Sequence, residues 1–137
     1  MATFLQPLLQ GGSAVQWVEN TRNGRVVADD LITAFDSRSR NKGLLQRDSL
    51  PEGSALIIAP CAAVHTFFMT FPIDIAFLSK DGHVLKVRAA VPAWRMTGAL
   101  RAFCVIELAA GSLARSETVA GDRLVIGTRL QTATLKQ

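Results

Sequence analysis

Two side chains with the means to do chemistry stand in the stretch VHTFFMTFPIDIAFL, residues 64–78: His65 and Asp74. Around them lie four Phe, a Met and a Pro, so they are polar groups in strongly apolar company. If their strands are neighbours, the Asp74 carboxylate can accept a proton from one imidazole nitrogen of His65 and fix its tautomer. The other nitrogen is then free to act as a general base or to hydrogen-bond a ligand. The same two residues also suit a purely structural role, satisfying backbone donors where Pro72 interrupts the ladder. Burying either one unpaired would cost a few kcal/mol.

A second constellation is Trp94-Arg95, a guanidinium beside an aromatic plate, suited to sugars or to carboxylate and phosphate groups. Arg40 is a further cation for such a site, or the partner of Asp36, Asp48 or Glu107. Cys61-x-x-x-His65 has the look of a metal motif, with His83 and Cys104 as the remaining soft or imidazole groups. Zinc needs four convergent ligands, and these four are too scattered to be assigned one. As nucleophiles, Cys61 beside Pro60 is the better placed and Cys104 sits inside an apolar strand; both are expected as inert, buried thiols. Gly-x-Ser-x-Gly, a phosphate-cradling glycine loop and a dinucleotide fingerprint are all missing. No catalytic residue, metal or cofactor is therefore assigned, and the enzyme question stays open.

The chain that must position these residues has 137 of them, enough for one domain that buries about two thirds of its unfolded surface. With 19% charged and 49% apolar residues it favours a globule over disorder. The net charge of +4 is spread along the chain without a run of like charges, which argues against specific nucleic-acid binding. No apolar run approaches the roughly 20 residues of a membrane span, and the N-terminus lacks a basic n-region, so a cytoplasmic protein is expected.

Turn signals then divide the chain. Asn23-Gly24 closes a hairpin between residues 15–18 and 25–28, and residues 31–35 are extended. Asp36-Ser37 caps a short helix over 38–45 that Gly43 limits. SALIIA, residues 54–59, is a buried strand stopped by Pro60. Strands follow over 65–70 and 73–78, with Ile73, Ile75 and Phe77 on one face and Asp74, Ala76 and Leu78 on the other. A turn at Ser79-Lys80-Asp81-Gly82 leads to a strand over 83–91, a loop over 93–100 carrying Trp94 and Arg95, and a strand over 101–108. About one helical turn near 113–118 precedes a last strand over 123–130. Seven or eight short strands predict a mainly β, single-domain antiparallel sandwich or barrel with one or two short helices. Residues 1–25 read as an N-terminal lead-in, 26–130 as the β domain and 131–137 as a C-terminal tail.

Five blocks in order carry a resemblance. They are Arg40-x-x-Gly43-Leu44-Leu45-x-Arg47, residues 64–69, residues 71–78 with the Asp81-Gly82 turn, Pro92-x-Trp94-Arg95, and Glu107-Leu108-x-x-Gly111 leading to Gly121-Asp122. Over residues 26–126 the sequence resembles domain-of-unknown-function family 192. The resemblance implies a compact jelly-roll-like fold with the His65 and Asp74 blocks at its centre, and no established activity. Thr70 departs from the family pattern, which usually has Arg there.

Together these readings favour a small-ligand-binding β domain for a sugar or anionic metabolite, with His65, Asp74, Trp94, Arg95 and Arg40 at its site. Two alternatives are a hydrolase- or isomerase-like enzyme using His65 and Asp74 as acid and base, and a module that binds a protein partner through the N-terminal segment.

Overall fold

The computed structural model describes residues 3–10 and 14–130. The expected break at Gly11-Gly12-Ser13 and the tail over 131–137 lie outside the described residues. In chain order the elements are α1 (Gln6–Leu9), β1 (Ala14–Asn20), β2 (Val26–Ala28), β3 (Asp30–Ala34), α2 (Ser37–Lys42), β4 (Ser54–Ile58) and β5 (Ala63–His65). They continue with β6 (Ile73–Leu78), β7 (Val84–Val91), β8 (Met96–Gly98), β9 (Cys104–Ala109), α3 (Ser112–Ser116) and β10 (Leu124–Leu130). Among the described residues no helix is long and apolar enough to cross a membrane.

The organising element is a five-stranded sheet in the order β3-β4-β9-β6-β7. All its pairs are antiparallel except β3 with β4, which run parallel, a departure from the all-antiparallel expectation. The crossover is made by α2 and the loop after it, since parallel neighbours need a long connection. Strands β4, β6 and β9 are buried at every position, as their unbroken apolar runs require when both faces of a sheet are covered.

One face packs on a three-stranded sheet, β10-β1-β2. Val18, Val27, Leu124 and Ile126 from that sheet meet Ile57, Ala76, Leu78 and Ile106 from the larger one. Phe4 and Leu5 add to the same cluster, so parts of the expected lead-in carry core residues and strand β1. The other face gathers Leu56, Ile58, Ile73, Ile75, Phe77 and Val105 beneath Leu44, Leu50 and Met69. The alternation expected of residues 73–78 is therefore observed, with each parity entering a different core. The result is mainly β, with layered sheets and no closed barrel.

Two local expectations change. The helix expected over 38–45 ends at Lys42, because Gly43 at its C-cap has φ 48°; its start is as read, with the Asp36 carboxylate accepting the Ser39 N–H at 2.7 Å. The strand expected over 65–70 stops at His65, since Phe68 adopts a left-handed φ of 65°. Its partner is β8, which lies inside the segment expected to be loop.

Candidate functional site

Asp74 is fully buried. Its Oδ1 accepts the Ala90 N–H at 2.8 Å, and Oδ2 accepts those of Gly111 at 3.1 Å and Leu113 at 2.9 Å. The carboxylate thus ties β6 to the irregular end of β7 and to the first turn of α3. His65 is exposed on β5, and its Nδ1 accepts the Phe67 N–H at 3.2 Å. The two side chains sit in different sheets, and no hydrogen bond joins them.

What His65 does join is a row of aromatic rings. Its ring stacks on Phe67 with centroids 4.8 Å apart, Phe67 stacks on Trp94 at 5.7 Å, and Phe68 leans against Trp94 at 4.6 Å. Trp94 is 57% exposed and Phe68 70%, against the tendency of such side chains to be buried. Both are held at φ 65°, a region that is a genuine outlier for bulky residues. Buried Thr66 holds the two loops in this state: its carbonyl accepts the N–H groups of Trp94 and Met69, and its hydroxyl donates to Pro92 O at 2.6 Å. Arg95 follows on the same loop, exposed, its guanidinium 3.4 Å from the carbonyls of Ala93 and Trp94.

On the sheet face opposite Asp74 lies a cavity of about 260 Å³. Arg40, Lys42 and Gly43 border it on the α2 side, the segment from Pro60 to His65 on another, and Glu107 of β9 lines its base. The Ala59–Pro60 peptide bond that opens this segment is cis. Glu107 pairs across strands with Leu56 and Ile75 and is 3% exposed. Burial pushes its carboxyl up to about 7, and among the described residues nothing hydrogen-bonds it. Arg40 is held by Phe35 O at 2.9 Å and Ser37 Oγ at 3.2 Å. Cys61 Sγ donates to Ala63 O at 3.2 Å, and burial raises its thiol, as it does that of Cys104. Both cysteines are free, and neither is the low-pKa thiol that nucleophilic attack needs. No three His, Cys, Asp or Glu groups among the described residues converge as a metal site.

Of the five residues singled out in the sequence, Arg40 and His65 therefore line the cavity, Trp94 and Arg95 lie on the adjoining aromatic loop, and Asp74 lies on the opposite face of the sheet. In the sequence Glu107 stands out as a partner for Arg40 and as the head of the Glu107-Leu108-x-x-Gly111 block, not as a site residue. Its signal is a lone carboxylate inside CVIELA, a run too apolar to have a solvent-facing side.

Comparison with known proteins now bears on this arrangement. A family model, DUF192, described as "Uncharacterized ACR", matches residues 18–126. The chain belongs to the DUF192 family. The match spans every cavity residue named above together with the aromatic loops, and it begins at Val18 within β1. No curated protein matches. Two solved structures share the DUF192 fold seen here. One is a candidate transcription regulator from Sinorhizobium meliloti 1021, with TM-score 0.70 and 23% identity, covering 84% of this chain and 96% of that one. The other is a protein of unknown function from Novosphingobium aromaticivorans, with TM-score 0.69 and 23% identity, covering 90% and 92%. At that identity the likeness is one of fold.

Proposed function

We propose that this DUF192 protein binds a small polar metabolite, hydroxylated or anionic, in the cavity between α2, the Pro60–His65 segment and β9. The observation that carries this reading is Glu107, a carboxyl buried to 3% exposure with no protein hydrogen-bond partner among the described residues, lining an open space. Among the described residues the one buried side-chain polar atom without a partner is Thr97 Oγ1; the Glu107 carboxylate instead opens onto the cavity, where a ligand hydroxyl can reach it in place of water. With its carboxyl near 7, Glu107 can donate to a ligand oxygen when protonated and accept from a hydroxyl when ionised. Arg40 and Lys42 at the border supply the charge an anionic group would meet.

The test is a thermal-shift screen of sugars, sugar acids, nucleotides and organic acids with the wild-type protein and Glu107→Gln. A ligand present at 100 times its Kd adds about 2.7 kcal/mol of stability. The reading expects a compound that stabilises the wild type and does so at least tenfold less potently in E107Q. No stabilisation at millimolar concentration, or equal stabilisation of the variant, would overturn it.

A further inference from the structure

Resting on that cavity, we propose that its occupant is the end of a carbohydrate chain, with the following sugar units lying along the aromatic row outside. His65 makes the two regions continuous, because it lines the cavity and also begins the stack that runs through Phe67 to Trp94. A free metabolite confined to the cavity has no use for that row.

The row is built rather than incidental. Phe68 and Trp94 both hold left-handed backbone conformations at φ 65°, which are unfavourable for a residue bearing a side chain. Thr66 bonds both loops to keep them there. The outcome is that Phe68 and Trp94 are 70% and 57% exposed with their rings 4.6 Å apart, and Met96, paired with His65 across β5 and β8, is 71% exposed. Strained conformations that survive because neighbouring structure enforces them cluster at ligand sites.

The chemistry selects the class. An aromatic face carries negative charge density that attracts the slightly positive C–H groups of a partner, and the C–H face of a sugar ring is such a partner. Sugar hydroxyls both donate and accept, so they can pair with Glu107 whichever protonation state it holds.

Isothermal calorimetry on the full chain tests this with maltohexaose, cellohexaose and chitohexaose, each against its monosaccharide. One hexasaccharide is expected to bind at least tenfold more tightly than its monosaccharide. Trp94→Ala and, separately, Phe68→Ala should remove that advantage, bringing the hexasaccharide within about twofold of the monosaccharide in the same variant; E107Q should weaken both ligands. The variants are first checked for unchanged secondary structure, and two are used so that a folding failure of one leaves the other decisive. Failure of all three hexasaccharides, or full chain-length preference in both aromatic variants, overturns the proposal. Organic acids that bind through Glu107 without any hexasaccharide doing so would leave the cavity reading standing and remove this one. A concentration-dependent dimer that W94A abolishes, with no sugar bound, would assign the row to a second copy instead.

Discussion

Thr66 and Arg95 bond each other twice across 29 residues: the Thr66 N–H donates to Arg95 O at 2.8 Å, and the Arg95 N–H donates to Thr66 Oγ1 at 2.9 Å. The same hydroxyl donates to Pro92 O, so one buried side chain holds the loop that presents Trp94. Replacing it by valine keeps the shape and removes the hydroxyl, leaving a donor and an acceptor unpaired. Thr66→Val should cost about 2 kcal/mol, read from urea denaturation. It should also loosen the aromatic row, seen as a change in tryptophan fluorescence that Trp17 does not share.

Asp74 calls for a different outcome. Its three bonds to backbone N–H groups are charge-assisted and join segments up to 39 residues apart. In Asp74→Asn, one oxygen becomes an NH2 group that must face donors. A loss of roughly 3 kcal/mol or more is expected from the stranded groups, measured by the denaturation midpoint. A variant that stays as stable as the wild type would show that Asp74 does not clasp α3.

The pH dependence of stability should report Glu107. Its carboxyl lies near 4.5 unfolded and is pushed up to about 7 by burial in the fold. Between those values the native state holds the extra proton, so stability falls as pH rises through the interval and levels off above it. The displacement corresponds to about 3 kcal/mol. E107Q should therefore match the wild type near pH 4 and exceed it by about that much at pH 8.

Asp122 has the opposite sign. Arg22, hydrogen-bonded at 2.7 Å, together with the Val119 N–H and Asn20 holds its carboxyl at about 2, below its ordinary 3.8. This group's contribution is complete above about pH 4 and is lost as pH falls through 2. Asp122→Asn should be less stable by roughly 2 kcal/mol at neutral pH through its stranded donors. The gap should narrow in acid, while Arg22→Ala costs less because that side chain is half exposed.

How much of this was legible in the chain depends on range. The cap at Asp36, the Asn23-Gly24 hairpin and the two-faced pattern of β6 are written in neighbouring residues, and they appear as read. The helix ends at Lys42 and the strand at His65, three and five residues before the ends that the sequence pattern predicts. The second had no local signal at all, since aromatic residues rarely take φ 65°. The role of Asp74 depends on N–H groups 16 to 39 residues away, and sequence alone cannot bring those to it. Glu107 was visible as a letter; what was missing was that both faces of β9 are covered, which turns an ordinary strand glutamate into a buried acid.

Asp74 and Glu107 occupy adjacent strands of one sheet on opposite sides, in a register that sets Asp74 across from Leu108 and Ile75 across from Glu107. Because side chains alternate with a period of two, slippage of β6 by a single residue would set Asp74 across from Glu107, on the same side of the sheet. Asp74 would leave its three N–H donors and face the void beside Glu107. The cavity's chemistry is therefore a matter of parity: it exists because β6 and β9 agree on odd and even.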